Sequence, residues 1–202
     1  MFAFARQLLL VIPLLIAALA IAQNGPPPTP PAPADVSSVG MIAPLSEPGE
    51  RLVVDGQVFA PDGVTPASGV ILYAYQTDSS GLYQNDASHI ARLHGWVKTD
   101  AQGRFEFRTI RPASYPNRSS PAHIHFHVWG GGYPLQWTEE LKFADDPFLT
   151  PHDTADSRVL GDFANIRPVT RSADRVWHCT VRFRLSKQTN YPAPYRDDPR
   201  TR

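Results

Sequence analysis

From Arg51 to Ile110 the chain sets short runs of β-branched and aromatic residues between turn signals, and this spacing suits strands far better than helices. Leu52-Val53-Val54 and Gly56-Gln57-Val58-Phe59 precede the turn Pro61-Asp62-Gly63. Val70-Ile71-Leu72-Tyr73-Ala74-Tyr75 and Gly95-Trp96-Val97-Lys98-Thr99 precede Asp100-Ala101-Gln102-Gly103, and Arg104-Phe105-Glu106-Phe107-Arg108-Thr109-Ile110 follows. Strands repeated at such intervals predict an all-β sandwich, mostly antiparallel, with long loops. A last strand is expected over 176–185, whose second half alternates with a strict period of two. Between 147 and 175 the pattern fades into Asp, Pro, Thr and Arg, which predicts loop with at most a short helix around 154–163.

One strand carries chemistry. In Pro121-Ala122-His123-Ile124-His125-Phe126-His127-Val128 alternate residues point to opposite faces, so Ile124, Phe126 and Val128 form an apolar side and three imidazoles a row on the other. The reading is a half-buried strand. A bare His-x-His is a weak metal signal, because alternating polar residues ordinarily mark a solvated face. His127 is expected to support the site or pack beside it rather than to bind metal, the rival being a three-histidine zinc or ferrous site. His89, His94, His152 and His178 show no such pattern.

The ends and the composition narrow the class. Residues 1–22, with Arg6 before the block Leu8 to Ile16 and small residues up to Ala22, read as a secretory signal. Pro13 interrupts an apolar core already short for a membrane span, so no stable membrane insertion is expected after cleavage. The prolines from Pro26 to Pro33 favour extended backbone and make residues 23–50 a linker. That leaves residues 51–185 as one domain and 186–202, with its prolines and charges, as a wrapping or disordered tail. Cys179 is the single cysteine, has no partner for an internal disulfide, and is expected to pack as a small hydrophobe. With 19 basic and 19 acidic residues, no global field would gather nucleic acid.

Four blocks in order then resemble the intradiol ring-cleavage dioxygenases, the family of catechol and protocatechuate dioxygenases. They are Gly56-Gln57-Val58 with Pro61-Asp62-Gly63; Gly81-Leu82-Tyr83; Thr99-Asp100 with Gly103 through Pro112; and Tyr115-Pro116 leading to Pro121-Ala122-His123-Ile124-His125-Phe126. The resemblance implies a non-haem ferric ion, Fe(3+), held by Tyr83, Tyr115, His123 and His125. Phenolate oxygen suits a hard trivalent ion, which lowers the phenol pKa from about 10. It also implies that a catechol displaces Tyr115, whose phenolate then helps take up substrate protons, and that O2 opens the ring between the hydroxylated carbons to a muconate-type diacid.

Two positions depart from the family pattern. Where it has an arginine before Pro-Ala-His-Ile-His this chain has Ser120, and where it has a glutamine this chain has Glu140; both are candidate substrate-binding residues. Electrostatic help of that kind is worth about 3 kcal/mol per preorganised donor. Arg92, Arg111 and Arg118 are alternative sources of positive charge. The leading expectation is an exported dioxygenase acting on small aromatic diols, such as lignin-derived or plant catechols, with homo-oligomerisation left open. The alternative is a non-catalytic module on the same fold that binds iron, a phenolic compound or polysaccharide, favoured by Ser120, Glu140 and the aromatics Trp129, Tyr133 and Trp137.

Overall fold

The computed structural model describes residues 29–84, 90–118 and 120–191. The expected signal segment, residues 23–28 of the linker, His89 and the tail beyond Tyr191 lie outside them.

Two sheets face each other. In the first the strand order is β1-β5-β2-β11-β10, where β1 is Val39–Met41, β2 Arg51–Phe59, β5 Arg104–Ile110, β10 Val169–Arg171 and β11 Trp177–Arg184. In the second it is β4-β3-β6-β8-β9, with β7 also paired to β6; here β3 is Val70–Gln76, β4 Leu93–Lys98, β6 His123–Gly130, β7 Tyr133–Trp137, β8 Leu141–Phe143 and β9 Ile166–Arg167. Most pairings are antiparallel, but β1 runs parallel to β5, β11 to β2 and β8 to β9. The two apolar runs before Pro61 are one continuous strand, and Gly56 lets it pass where a Cβ would strike the Val181 carbonyl and the Phe105 ring.

The core lies between the sheets and is built from the faces that period two selects. Val54, Val58, Phe105, Phe107, Val181 and Phe183 come from the first sheet and meet Leu72, Ile124, Phe126 and Val128 from the second. Phe126 ties them together, with its ring centroid 6.1 Å from that of Phe107 and 4.9 Å from that of Phe183. Cys179 is buried in this layer, and burial pushes its thiol up to about 12. It packs as a hydrophobe, as expected.

The half-buried reading of β6 needs correcting. His123 and His125 are buried and His127 is 0 % exposed, so the imidazole side is covered as fully as the apolar side. The cover is a second cluster on the outer face of the sheet, formed by Tyr73, Tyr75, Trp129, Leu135 and Tyr191, with Tyr83, Trp96 and Trp137 packed against it. Alternation told the faces apart but not which would be wet, because the covering groups come from remote parts of the chain.

Some of that cover comes from the stretch expected to be a linker. From Thr29 onward it lies on the sandwich: Thr29 is buried, β1 pairs in register with Glu106, Phe107 and Arg108, and Ile42 and Ala43 join the core. The clustered prolines end at Pro33, and the strand forms beyond them, at the edge of the first sheet. Residues 186–191 wrap as well, since Thr189 donates to the Leu135 carbonyl at 2.6 Å and Asn190 bridges the Trp137 backbone.

In the region expected to be mostly loop, helix α1 spans Pro151–Val159 and a 3-10 turn covers Gly161–Phe163. The sequence explains the start: Thr150 caps the Asp153 amide and Asp153 returns a bond to the Thr150 backbone, with proline at the first helical position. Lys142 of β8 also donates to Asp153 at 2.6 Å, clipping the helix to the strand next to His123.

Those contacts hold the Asp153 carboxyl well below the usual carboxylate range, Lys142 first and Thr150 next. A depressed folded-state value stabilises at pH above the unfolded one, about 4, and the contribution is lost as pH falls through the folded value. Asp153→Ala should therefore cost about 1 kcal/mol in urea unfolding at pH 7, and the gap from the parent protein should shrink on acidification. Phe126→Ala should cost about 3–5 kcal/mol in the same measurement. The Cys179 thiol should react with an aromatic disulfide reagent only after unfolding.

Candidate active site

Tyr83, Tyr115, His123 and His125 bring four polar atoms together on the outer face of the second sheet. The Tyr83 hydroxyl lies 3.0 Å from that of Tyr115, 3.2 Å from His123 Nε2 and 2.8 Å from His125 Nε2. Tyr115 reaches His123 Nε2 at 3.2 Å, and the two Nε2 atoms are 3.1 Å apart. Ligands about 2.0 Å from a common ion in tetrahedral array stand about 3.3 Å from each other, so these spacings are close to those of one coordination sphere.

The imidazoles are supplied by β6, whose alternation puts both on one side. Their tautomers follow from what faces Nδ1. For His123 it is the Pro121 carbonyl at 2.7 Å, which can only accept, so Nδ1 carries the proton and Nε2 offers its lone pair to the cluster. Burial, reinforced by His123 and His127, pushes His125 down to about 2, so that ring is neutral. The start of the strand is pinned by Asp146, which accepts from the Ala122 amide at 2.9 Å and the Phe148 amide at 2.8 Å.

The phenols come from loops, and the loops are held by specific bonds. Asp78, buried at the end of β3, accepts from the Ser80 amide and hydroxyl and from the Leu82 amide, and its other oxygen accepts from Gln84. Arg92 lies 3.5 Å from Asp78, makes a two-pronged bond to Glu47, and donates its backbone amide to the Tyr83 carbonyl. Tyr83 is thus gripped from both sides. The Tyr115 loop is joined to the same strand end by Thr77 donating to the Ala113 carbonyl at 2.7 Å and by Ala113 donating to the Asp78 carbonyl. The loops cross at Gly81, whose φ of +81° and whose Cα against the Ser114 carbonyl leave no room for a Cβ. The turn residues were legible in sequence; their role in seating Tyr83 was not.

Burial raises the phenols of Tyr83, Tyr115 and Tyr75 above the ordinary tyrosine value. Two phenolates here would need a strong positive charge, and the arginines do not offer one. Arg92 is committed to Glu47 and Asp78; Arg111 pairs with Asp145 and lies between the Phe143 and Trp177 rings; Arg118 rests over Phe148. Ser120 is partly exposed at the entry to β6. Glu140 does reach the site, with Oε1 3.3 Å from His125 Nδ1, and among the described residues it forms with His123 and His125 a group able to hold a metal ion.

His127 stands apart from that group. Its Nδ1 meets the Thr29 hydroxyl at 2.5 Å and the Tyr191 hydroxyl at 2.9 Å, and its ring lies edge-on to Tyr75 and Trp137. No local pattern could have paired it with residues so remote. Of the aromatics that favoured a binding module, Trp129 is buried, while Tyr133 and Trp137 are partly covered.

Fold and site together define a β-sandwich whose outer face carries a cluster of two half-buried tyrosines and two buried histidines. The family model described as Dioxygenase matches residues 24–187. The dioxygenase domain of a dioxygenase carbohydrate-binding protein fusion from Streptomyces sp. SirexAA-E is 31 % identical, with a TM-score of 0.59 over 81 % of this chain and 95 % of that one. The protocatechuate 3,4-dioxygenase beta chain of Burkholderia cepacia is 34 % identical over 113 residues, 50 % of this chain and 48 % of its own length. Catechol 1,2-dioxygenase 1 of Acinetobacter lwoffii is 33 % identical over 118 residues, 48 % of this chain and 37 % of its own length. The matches thus span half or less of these curated relatives. 3-Chlorocatechol 1,2-dioxygenase from Rhodococcus opacus 1CP shares the fold at a TM-score of 0.58 and 22 % identity, over 84 % of this chain and 76 % of that one. The chain belongs to the intradiol ring-cleavage dioxygenase family.

Gly81→Ala should push the Tyr83 and Tyr115 loops apart. The expected result is a folded protein with a lowered melting temperature and a changed near-ultraviolet tyrosine signal, checked by circular dichroism.

Proposed function

We propose that this chain is an exported non-haem ferric dioxygenase that opens catechol-type rings between the two hydroxylated carbons with O2. The observation that carries the reading is the convergence of the Tyr83 and Tyr115 oxygens with the His123 and His125 Nε2 atoms. The residues fit ferric iron on their own chemistry. Two half-buried phenols, raised by burial, are hard oxygen donors that need a highly charged cation to ionise, and the two imidazoles complete the set. When bound, the ion would supply a Lewis-acidic centre that binds the diol and makes its ring reactive toward O2.

The residues divide the remaining work. Tyr83 touches Tyr115 and both histidines, so it is the fixed member. Among the described residues the Tyr115 hydroxyl pairs with Tyr83 and His123, one partner fewer than that of Tyr83, so moving it breaks fewer contacts. Its oxygen is therefore placed to swing aside and take a proton from an arriving diol, in general-base fashion. The aromatic cover from Tyr73, Tyr75 and Trp137 limits access of water to the histidine side.

The near charge bears on substrate choice. Glu140 contributes a carboxylate, while Arg92 and Arg111 are neutralised by their own partners. Catechols without a carboxylate are favoured, which fits the plant-derived diols an exported enzyme would meet. Likeness to the dioxygenase domain of a carbohydrate-binding fusion from a cellulolytic bacterium supports the same surroundings.

The iron-loaded protein should show a visible tyrosinate-to-ferric band that shifts on anaerobic catechol addition, and should consume O2 with catechol at a higher kcat/KM than with protocatechuate. Tyr83→Phe should weaken and shift the band, His125→Ala should weaken it, and each should lower turnover at least a hundredfold, of the order of losing an essential catalytic group. A colourless protein after ferric reconstitution would instead favour the non-catalytic binding module.

A further inference from the structure

We infer that Glu140 is a positioning residue for His125: its carboxylate accepts the Nδ1 proton and holds the tautomer that aims Nε2 at the phenol cluster. The inference rests on the reading of Tyr83, Tyr115, His123 and His125 as one metal site. It differs from the expectation that Glu140 serves substrate binding.

The two histidines are unequal on their far sides. His123 Nδ1 meets a neutral carbonyl, that of Pro121, at 2.7 Å. His125 Nδ1 is buried from solvent and makes no aligned hydrogen bond, yet Glu140 Oε1 stands 3.3 Å from it. A buried ring N–H requires an acceptor, and an ionised carboxylate can do nothing but accept. The proton therefore belongs on Nδ1, which frees Nε2, the atom 2.8 Å from the Tyr83 hydroxyl and 3.1 Å from His123 Nε2.

Glu140 is built to close the remaining gap. It lies between β7 and β8, where its backbone carbonyl is fixed by Asn165 at 2.8 Å, while its side chain is 38 % exposed. The Tyr75 ring stacks on His125, with centroids 4.5 Å apart and planes 11° from parallel, so the imidazole plane is set and the carboxylate does the aligning. Because Glu140 faces Nδ1 and not Nε2, it acts on a ligand from outside the cluster. A carboxylate behind an imidazole makes it a stronger donor than a carbonyl does. His125 should thus bind a cation more strongly than His123.

The test compares the full chain with Glu140→Gln, which keeps the shape without the charge, and with Glu140→Ala, which removes the acceptor. Before iron is added, long-range proton–nitrogen spectra should show His125 as the Nδ1–H tautomer, with the Nε2–H form appearing in Glu140→Ala. After ferric loading, Glu140→Gln should shift the tyrosinate-to-ferric band to longer wavelength and raise the ferric reduction potential at an unchanged melting temperature. Glu140→Ala should bind iron about tenfold more weakly in chelator competition. Wild-type values for tautomer, band, potential and affinity in both variants would overturn the inference. A colourless wild-type protein in which Glu140→Ala still switches the tautomer would sink the iron reading and leave the Glu140–His125 contact standing.

Discussion

Strand β6 is the constraint from which the rest follows, because it serves two environments that cannot be exchanged. Ile124, Phe126 and Val128 fill the layer between the sheets, where Phe126 meets Phe107 and Phe183, while His123, His125 and His127 face away. A shift of one residue in its register with β3 would drive three imidazoles into that layer and expel its central aromatic ring. The same register that makes the core sound therefore sets the spacing of the ligand atoms.

The face away from the core is finished by other parts of the chain. Thr29 from the amino-terminal strap and Tyr191 from the carboxyl-terminal wrap meet on His127, across separations of 98 and 64 residues. Two strand-end loops carry the phenols, held by Asp78, Thr77 and the close passage at Gly81. A central strand supplies the imidazoles, and loops supply the phenols, of which the Tyr83 hydroxyl has more partners than that of Tyr115. Loops tolerate displacement better than central strands do.

Electrostatics sharpen the difference from a simple metal clamp. The nearby arginines are used up in structural contacts, with Arg92 on Glu47 and Arg111 on Asp145, so the charge closest to the histidines is the Glu140 carboxylate. A cation bound here would be answered by two phenols and, one imidazole away, by this carboxylate. Two phenols and, one imidazole away, this carboxylate leave the cluster richer in acidic groups than in basic ones.

By itself the sequence determined the sandwich, the strand alternation and the residue types of the site, because these depend on local periodicity and on the order of short motifs. Val54, Val58, Phe105 and Phe107 announce their inward face through period two, and Tyr83, Tyr115, His123 and His125 stand out by their place in four ordered blocks. Only the tertiary structure decided that the imidazole face is buried, that the proline-rich stretch from Thr29 is a strap and an edge strand, and which acceptor stands behind each histidine. The reason is physical: burial and hydrogen-bond partnership are properties of what arrives from elsewhere in the chain, and Thr29, Glu140 and Tyr191 carry no local mark of the side chains they will meet.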